Sequence, residues 1–435
     1  MSRTDTPSTD TRQRVALVGV GHRGLSMWGL ELLADYAPWV DLVALCDSNP
    51  ARIARGRELL GQPDLPAYAT QAALLAAHPD LDRVLLCVPD HLHDAFIVEA
   101  LEAGVDVVTE KPMATTAAQC ASILAAQQRT GRRVDVTFNY RYTPTSARIK
   151  QILLAGEIGR IESVDFSWHL DTRHGADYFR RWHAQQSHSG SLWVHKASHH
   201  FDLLNWWLDD LPETVYARSA LRHYGANRPA PAARCKDCPQ RCEFFLDLAQ
   251  DPWLHGLFEA PSAHDGYVRD ACVFRPEIDI ADTMNALIQY RGGAQVNYSL
   301  SACLPVEGFV IALNGSHGRI EVRQHERQPW ATPPADELRV MPLGGGLRTE
   351  WLAHGARGHF GGDAGLQDRL FKPAVLVGPD VLGQRAGAEA GAAAALCGLA
   401  ALHSARTGQP QTFDATDVLG RVADMTVDDA VLMPG

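Results

Sequence analysis

The strongest constraint on the fold of this 435-residue chain is a regular alternation of strand-like and helical patterns over its first third. Short runs of β-branched and apolar residues, separated by helical stretches, lie at 14–20, 41–46, 83–88, 105–110 and 133–139. Strands joined by helices at this spacing pair in parallel through right-handed crossovers. The pattern therefore predicts a doubly wound α/β domain over residues 14–140, and the polar residues 1–13 predict a disordered lead.

The pattern changes after residue 140. Apolar and polar residues alternate at 159–170, as in a half-buried antiparallel strand. Further strand-like runs lie at 213–221, 285–293, 294–302, 309–315 and 319–322. The stretches 223–280 and 324–380 have the composition of inserted loops, and the Ala-rich stretch 386–405 is typical of a long buried helix. We expect residues 141–435 to form an α+β domain with a large, mostly antiparallel open sheet.

The charge balance argues against a polyanionic partner. Lys and Arg total 40 and Asp and Glu total 51, so the net charge is −11 with His neutral. A nucleic-acid groove or an anionic membrane surface requires a basic face, and no apolar run approaches the roughly 20 residues of a membrane helix. Since residues 1–13 lack an apolar targeting segment, we expect a cytoplasmic protein that binds neither nucleic acid nor membrane.

A glycine-rich turn directly follows the first strand-like run, in Gly19-Val20-Gly21-His22-Arg23-Gly24. Gly19 permits a tight turn, Gly21 lets the backbone approach a pyrophosphate, and Gly24 lets a helix pack closely on the strand. The N-terminus of that helix offers free N–H groups to phosphate. Such a motif also arises by chance, so the interpretation depends on the strand before it and the helix after it. In this context it predicts a dinucleotide-binding Rossmann domain.

Asp47 ends the second strand-like run, 23 residues after Gly24. A carboxylate there accepts hydrogen bonds from the adenosine ribose and repels a 2′-phosphate, so it favours NAD over NADP as the cofactor. Alternatively, Asp47 caps the helix that begins near Asn49-Pro50.

Glu110-Lys111-Pro112 lies at the carboxyl end of a later strand, the edge of an open α/β sheet where ligands bind. A lysine there can hydrogen-bond a sugar hydroxyl and help to remove its proton during hydride transfer. Composition alone would place Lys111 on the surface as a solvated side chain.

Several elements together resemble the glucose-fructose oxidoreductase/inositol dehydrogenase/rhizopine-catabolism (Gfo/Idh/MocA) family of NAD(P)-dependent oxidoreductases. They are the glycine turn at 19–24, Pro89-Asp90-His91-Leu92-His93, Glu110-Lys111-Pro112 and Asn139-Tyr140-Arg141-Tyr142. Their order and spacing match from residue 14 to about residue 208, and the tail from 398 to 408 also fits. The resemblance implies a C-terminal α/β domain whose open sheet often forms an oligomer interface, hence a homodimer or homotetramer.

The resemblance also implies roles for individual residues. Lys111 matches the family's catalytic lysine, and His199 matches its catalytic histidine, whose neutral imidazole can accept a hydroxyl proton. The residues implied to line the cofactor crevice are Gly19, Gly21, His22, Arg23, Gly24, Asp47, Pro89, His93, Glu110, Lys111 and Asn139, with Arg141 close behind. His200, beside His199, is the better candidate for a core or helix-capping histidine.

One position departs from the family pattern. Many relatives have an aspartate four residues before the catalytic histidine, where this chain has His195, followed by Lys196. Two histidines one helical turn apart share a face, so His195 and His199 can both reach a substrate, as can Lys111 and Lys196. The charge of Lys196 can lower the pKa of both rings. Which of the two histidines is the catalytic base stays open.

A second group of candidate substrate ligands lies in residues 174–183. Asp177, Tyr178, Arg181 and Trp182 combine carboxylate, guanidinium and aromatic groups suited to a carbohydrate. The alternative is a solvated, salt-bridged loop. His359, in a glycine-flanked segment, either closes over a substrate or lies in a surface turn.

Cys235, Cys238 and Cys242 lie close together in a Pro-rich segment, and Cys272 follows thirty residues later. Thiolates at this spacing in a cytosolic protein bind metal more often than they pack. We therefore predict a structural Zn²⁺ site that staples a long loop, with an iron–sulfur cluster or no metal as alternatives.

Together these features predict an NAD-dependent oxidoreductase that acts on a secondary hydroxyl of a sugar, glycoside or cyclitol. The alternative with the same cofactor is a redox-neutral glycoside hydrolase, in which transient oxidation at C3 acidifies C2–H and elimination expels the aglycone. A third hypothesis is a non-catalytic NAD sensor. Lys111 and His199 argue against it, because a sensor needs neither residue.

Overall fold

The computed structural model describes residues 12–355 and 358–412, so the lead expected at 1–13 lies almost entirely outside the described residues. Six parallel strands form the first sheet: β1 (Gln13–Val18), β2 (Val40–Cys46), β3 (Ala67–Tyr68), β4 (Arg83–Leu86), β5 (Asp106–Thr109) and β6 (Val134–Val136). Their order across the sheet is β3-β2-β1-β4-β5-β6. The order reverses between β1 and β4, so their carboxyl ends flank the crevice where an open α/β sheet binds ligands.

The helices of this region are α1 (Leu30–Ala34), continuous with a π-helical segment Gly24–Gly29, then α2 (Pro50–Leu60), α3 (Gln71–Ala77), α4 (His93–Glu102), α5 (Ala117–Thr130) and α6 (Pro144–Leu154). Four of the six helices, α2, α3, α5 and α6, begin at a residue whose side chain caps them. Asn49 caps α2 by accepting from the N–H groups of Ala51 and Arg52. Thr116 and Gln119 form a capping box on α5, which satisfies backbone donors that the first helical turn leaves free.

A second sheet of nine strands follows. Its strands are β7 (Ile161–Asp171), β8 (Pro212–Ala220), β9 (Thr283–Tyr290), β10 (Gln295–Leu304), β11 (Glu307–Gly315), β12 (Gly318–Arg327), β13 (Ala335–Pro342), β14 (Arg348–Ala353) and β15 (Gln411–Thr412). The order is β14-β13-β12-β11-β7-β10-β9-β8-β15. All neighbours pair antiparallel except β7 and β10, which run parallel. The predicted fold class, a Rossmann sheet plus a mostly antiparallel sheet, is confirmed.

The helices of the second half pack on this sheet and against the first domain. They are α7 (Thr172–Arg180), α8 (Gln186–Ser189), α9 (Leu192–His195), α10 (Ala197–Leu208), α11 (Pro252–Phe258), α12 (Ser262–Asp265), α13 (Gly362–Phe371), α14 (Ala374–Val377) and α15 (Ala388–Thr407). The segment 223–280 leaves the sheet after β8 and returns at β9, and it carries α11 and α12.

The interpretation of 324–380 as an inserted loop is wrong. This stretch carries the end of β12, the hairpin of β13 and β14, and α13. The glycines at 344–346 lie in the turn between β13 and β14 rather than within a strand, so the composition marks the turn and hides the strands on either side.

Part of the second half completes the apolar layer of the first domain. Leu257 and Phe258 of α11, and Leu366, Leu370 and Phe371 of α13, belong to the buried cluster that lies against the helix after the glycine turn. The two sheets are therefore joined by packing as well as by the chain.

Among the described residues one helix, α15, is long and apolar enough to cross a membrane, but 67% of its most apolar stretch is buried inside the fold. It packs against α10, β8 and α5. That is the position of a core helix, as its Ala-rich sequence predicts.

Candidate active site

In the glycine turn after β1, two of the three glycines have no room for a side chain, whereas the third has. Gly19 has a φ of +93°, and a Cβ there would lie 2.5 Å from the carbonyl oxygen of Cys87, while a Cβ on Gly24 would overlap the carbonyl oxygen of Gly19. A Cβ on Gly21 would meet no atom of the described residues within 4 Å. The turn therefore presents open backbone at Gly21, which fits the close approach of a pyrophosphate.

Arg23, in this turn, is held by two carboxylates. Its Nε donates to Oε1 of Glu110 at 2.9 Å, and its Nη2 lies 3.6 Å from Oδ1 of Asp363. Asp363 also accepts from Nδ2 of Asn139 at 2.5 Å and lies 3.0 Å from Nδ1 of His359. Burial would raise the pKa of Asp363, but His359 and Arg23 hold it below its usual value. Glu110, Asn139 and His359 thus belong to one network that positions the glycine turn.

Asp47 braces the glycine turn and does not cap a helix. Its Oδ2 accepts from the N–H of Val20 at 2.9 Å, and its Oδ1 accepts from the N–H of Asn49 at 2.9 Å and from Nη1 of Arg52 at 3.3 Å. The cap of α2 is Asn49. Both carboxylate oxygens of Asp47 thus accept hydrogen bonds within the domain, and the carboxylate lies at the end of β2 with the Arg52 guanidinium beside it.

A chain of three side chains joins the two domains at the carboxyl edge of the parallel sheet. Asp90 follows β4, Lys111 follows β5, and His195 ends α9. Nδ1 of His195 lies 2.5 Å from Oδ2 of Asp90, and its Nε2 lies 3.3 Å from Nζ of Lys111. Nζ of Lys111 also donates to the carbonyl oxygen of His195 at 3.0 Å.

Burial sets the protonation of this chain. It lowers the pKa of His195 well below its usual value, and the charge of Lys111 adds to the effect, so the ring is neutral. Burial also lowers the pKa of Lys111 to about 8, although Asp90 opposes the shift. A neutral imidazole that donates from Nδ1 to Asp90 offers Nε2 as an acceptor to Lys111. A lysine with a pKa this close to neutral can both accept and release a proton.

His199 lies one helical turn after His195 and is 4% exposed. Its Nδ1 has no hydrogen-bond partner among the residues that the structure describes. Tyr140 and Phe138 contact the ring edge-on, with centroids 4.9 and 5.9 Å away. Burial and Lys111 lower the pKa of His199 well below its usual value. A buried ring nitrogen left unpaired is costly, so this one fits a place where a ligand supplies the partner.

His200, by contrast, is a core residue. Its Nδ1 lies 2.6 Å from the hydroxyl of Tyr298, and its ring stacks on Trp168. Lys196, also buried, places Nζ 5.0 Å from the ring centre of Trp168 and 5.4 Å from that of Tyr140. Burial lowers the pKa of Lys196.

The candidate substrate ligands at 174–183 lie on a packed helix and not on a solvated loop. Asp177 forms ion pairs with Arg181, at 3.2 Å, and with Arg269 of the segment 223–280. Burial would raise the pKa of Asp177, but the two arginines lower it. Trp182 stacks on His183 with centroids 3.6 Å apart and lies edge-on to His195 at 5.8 Å. These groups therefore border the Asp90–His195–Lys111 chain.

A second chain of hydrogen-bonded side chains lies beside the first. The hydroxyl of Tyr178 lies 2.8 Å from Nε2 of His174, and Nδ1 of His174 contacts Oε1 of Glu307. Burial would raise the pKa of Glu307, but its hydrogen bond to His174 lowers the pKa to about 2. The ring of Tyr178 lies 5.2 Å from that of His195. Two separate carboxylate–imidazole pairs therefore meet at one place.

Two residues expected to line the cofactor crevice, Arg141 and His93, instead form hydrogen bonds to other parts of the protein. Arg141 donates from Nε and Nη2 to Asp202 at 2.7 and 2.6 Å, and from Nη1 to the carbonyl oxygen of Gly383 at 3.0 Å. Both ring nitrogens of His93 lie within 3.0 Å of backbone carbonyl oxygens, those of Pro112 and Val88. His93 thereby ties the turn after β4, which carries Pro89, to the turn that carries Lys111.

The predicted zinc site is not supported. Cys235, Cys238, Cys242 and Cys272 line one cavity of about 40 Å³, but no group of three or more His, Cys, Asp or Glu side chains within 12–355 and 358–412 is arranged to hold a metal ion. Sγ of Cys235 instead contacts Nη1 of Arg180 at 3.5 Å and the carbonyl oxygen of Phe244 at 4.0 Å.

Sequence reasoning gave no role to Asp90 or Glu307, and it included His174 and His183 only as part of the segment 174–183. Asp90 had a usable signal, because it follows β4 at the same sheet edge as Lys111. Glu307 had none, since only the pairing of β11 with β7 brings it beside α7.

Comparisons with known proteins agree with this architecture. Two family models match the chain: an oxidoreductase family with an NAD-binding Rossmann fold over residues 13–138, and the C-terminal alpha/beta domain of that oxidoreductase family over residues 150–341. The YteT protein of Bacillus subtilis is 36% identical over 407 residues, which are 87% of this chain and 93% of that protein. Inositol 2-dehydrogenase of Salmonella typhimurium is 29% identical over 209 residues, 46% of this chain and 56% of that enzyme.

Among solved structures, that of levoglucosan dehydrogenase in complex with NADH and levoglucosan is similar in fold. The TM-score is 0.67 at 19% identity, over 92% of this chain and 99% of that one. At that identity the likeness concerns the fold alone.

Proposed function

Because this chain belongs to the Gfo/Idh/MocA oxidoreductase family, we propose that it transfers hydride between NAD and a secondary hydroxyl of a sugar, glycoside or cyclitol. The observation that carries the proposal is the buried chain of Asp90, His195 and Lys111 at the carboxyl edge of the parallel sheet. Lys111, the proton-accepting group of this chain, directly follows Glu110, whose carboxylate accepts from Arg23 of the glycine turn. The inositol dehydrogenase among the relatives supports a polyhydroxylated substrate.

The residues present fit a dinucleotide. Gly21 offers open backbone, Gly19 and Gly24 shape the turn, and Asp47 offers a carboxylate at the end of β2. Pro89 and Asn139 border the same sheet edge. NAD, when bound there, supplies the hydride acceptor. Everything else in the reaction is proton handling and orientation by the chain itself.

Lys111 and His199 handle the proton in this proposal. The lowered pKa of Lys111 allows its amine to take the hydroxyl proton, and the neutral ring of His195 accepts a hydrogen bond from Nζ. Nδ1 of His199, which has no partner among the described residues, accepts from a substrate hydroxyl. We therefore assign His195 to positioning and relay, and His199 to direct contact with the substrate.

The other substrate contacts come from α7 and the residues after it. Arg181 and Asp177 offer charged hydrogen-bonding groups, and Trp182 offers a flat apolar face to the C–H side of a sugar ring. Tyr178 and Lys196 close the set around His195 and His199.

A second candidate function is favoured by the Glu307–His174–Tyr178 chain. Simple hydride transfer needs one group to take the hydroxyl proton. Elimination from a glycoside oxidised at C3 needs two more steps: a base takes the C2 proton, and the C1–O bond breaks as the leaving aglycone gains a proton. Water then adds across C1 and C2, with its hydroxyl at C1 and a proton returned to C2, and the hydride returns to C3 as the C3 oxygen regains its proton, so the net reaction is hydrolysis. Burial raises the pKa of Tyr178 well above its usual value, so its hydroxyl suits only the acid step, protonation of the leaving aglycone, and its hydrogen bond to His174 gives a path by which the proton is replaced.

One experiment separates the two functions. The purified protein is mixed with NAD and a panel of free sugars, cyclitols and aryl glycosides, and NADH absorbance and released aglycone are followed in the same wells. A dehydrogenase accumulates NADH without aglycone release, whereas a redox-neutral hydrolase releases aglycone without NADH accumulation. In the second case Tyr178→Phe abolishes aglycone release, and in the first it leaves NADH formation largely intact. If neither NADH nor aglycone appears, the proposal is contradicted for the substrates tested.

Cellular location and assembly stay predictions. We propose a cytoplasmic homodimer or homotetramer in which the face of the second sheet bearing Asp165, Ser167, Asn285, Asn297 and Ser299, which flank one open cavity of about 350 Å³, meets a second copy. Light scattering on the purified protein gives the mass directly, and a monomer at micromolar concentration would contradict this assignment.

A further inference from the structure

The segment 223–280 reaches the part of the Rossmann domain that follows β2. The carbonyl oxygen of Pro261 and Oδ2 of Asp265 both accept from Nδ2 of Asn49, each at 2.9 Å. Asp265 also forms an ion pair with Nη2 of Arg52. The segment is therefore a wall beside the carboxylate of Asp47, the group suited to an adenosine ribose.

This wall is anchored, so its residues hold defined positions. Leu257 is fully buried and Phe258 is 6% exposed, both in the apolar cluster of the first domain. Nε1 of Trp253 donates to Nδ1 of His22, in the glycine turn, at 2.8 Å. The segment thus contacts the dinucleotide-type site at both the turn and the end of β2.

Arg52 lies between two carboxylates from different domains. Its Nη1 is 3.3 Å from Oδ1 of Asp47, and its Nη2 pairs with Oδ2 of Asp265. The side chains of Arg52 and Asp47 are only 13% and 9% exposed. Nε of Arg52 is buried and has no partner among the described residues. One guanidinium and two carboxylates leave this corner with a net negative charge.

We propose that Asp265 is a cofactor-selectivity residue, which keeps Arg52 from binding a 2′-phosphate and thereby makes the site prefer NAD over NADP. The inference rests on the proposed function, since it assumes that a dinucleotide binds at the glycine turn. A 2′-phosphate carries close to two negative charges, so the pair Asp47 and Asp265 repels it. Arg52 would otherwise be suited to it, because a guanidinium binds phosphate through two parallel hydrogen bonds.

Asp265→Asn removes the charge with the least change of shape. The oxygen of asparagine can still accept from the N–H of Tyr267, which Oδ1 of Asp265 accepts at 3.0 Å, while its amide nitrogen takes the position of Oδ2 and no longer accepts from Asn49 or Arg52. The substitution thus removes the negative charge that pairs with Arg52. A matched control is Glu243→Gln, which removes one carboxylate from the same segment where Glu243 pairs only with exposed Arg228.

The experiment measures binding and not turnover. NADH and NADPH are titrated separately into the wild type, D265N, D265N/R52Q and E243Q, with protein fluorescence or calorimetry as the readout. We expect the ratio of the Kd for NADPH to the Kd for NADH to fall about tenfold in D265N, which is the scale of one altered ion pair. The fall comes from tighter NADPH binding, and R52Q in the same background reverses it. E243Q keeps the wild-type ratio.

Two other outcomes are distinguishable. Wild-type protein that binds neither NADH nor NADPH contradicts the proposed function and this inference together. Wild-type protein that binds NADH while D265N keeps the wild-type ratio, or weakens both cofactors equally, contradicts this inference alone and makes Asp265 a purely structural contact. Thermal melting of each variant shows whether a loss of binding reflects a loss of fold.

Discussion

Asp90 and His195 are separated by 105 positions in the sequence, and yet a carboxylate oxygen of one lies 2.5 Å from Nδ1 of the other. Asp90 comes from the turn after β4 of the parallel sheet, and His195 comes from a helix of the second domain. The contact fixes the ring that faces Lys111. The proposed catalytic arrangement is therefore assembled across the domain boundary, and each half alone lacks one side of it.

Lys111→Ala should lower kcat by about 10²–10⁴-fold, the range for loss of a general acid–base group. The Kd for NADH should stay near the wild-type value, because the glycine turn and Asp47 are untouched. Lys236→Ala, which removes an exposed lysine paired with Glu259 in the segment 223–280, serves as the control. Unchanged turnover in the Lys111 variant would remove Lys111 from the mechanism.

The rate of substrate oxidation should rise with pH up to about 8 and then level off. Burial lowers the pKa of Lys111 to about 8, and only the neutral amine can accept a proton, so the active fraction grows as pH passes that value. The profile of kcat/KM against pH measures this directly. A flat profile between pH 6 and 9 would show that Lys111 is not the titrating group.

Asp90→Asn tests the positioning of His195. An amide that donates to Nδ1 forces the opposite tautomer, so Nε2 carries a hydrogen and no longer accepts from Lys111. We expect kcat to fall by about 10–100-fold, as for other groups that orient a catalytic residue. The rising limb of the pH profile should also move to lower pH, because Asp90 raises the pKa of Lys111 and its loss favours the neutral amine. A lower rate with an unmoved profile would mean a purely structural effect.

The glycines of the turn should respond differently to alanine. Gly21→Ala meets open space, so the free energy of unfolding should stay constant while the Kd for NADH rises by about tenfold or more. Gly24→Ala overlaps the carbonyl oxygen of Gly19 and should destabilise the protein by about 1–3 kcal/mol. Denaturant unfolding and NADH titration on both variants separate the two effects. Equal losses of stability would contradict the assignment of Gly21 to the ligand.

Arg141→Ala should cost about 3–5 kcal/mol of stability, because it leaves the carboxylate of Asp202 buried without its partner. The double variant Arg141→Met with Asp202→Leu should recover most of that loss. The Kd of the double variant for NADH should match that of the wild type, because the N–H groups of Arg141 donate to Asp202 and Gly383. If the Kd for NADH rises sharply in the folded double variant, Arg141 contributes to cofactor binding after all.

The parallel sheet could be predicted from the sequence because its signals are local. Five of its six strands lie in short apolar runs that the sequence shows directly, whereas β3 (Ala67–Tyr68), a two-residue strand without a β-branched residue, was not predicted. The hairpin of β13 and β14 was missed because such signals are local: its turn at 344–346 is rich in glycine, and composition reports the turn more strongly than the strands.

The candidate site was only partly predictable. Lys111, His195 and His199 stand out because their residue types and spacing suit proton transfer. Arg141 and His93 occupy positions of the family pattern, but tertiary partners use up their hydrogen-bonding groups. Glu307 could not be predicted from the sequence, because its contact with His174 depends on the register of the strands. The two residues are 133 positions apart along the chain. Long-range pairing, and not residue type, decides such cases.

The apolar layer of the first domain is finished by Leu366, Leu370 and Phe371 of α13, and this order has a consequence for how the chain is made. The strands that they help to cover leave the ribosome more than two hundred residues earlier. Until α13 emerges, the cover that Leu25, Trp28 and Leu32 give to that face stays incomplete, and a fragment that ends at residue 140 would never complete it. The first domain is thus completed only after most of the second has been synthesised.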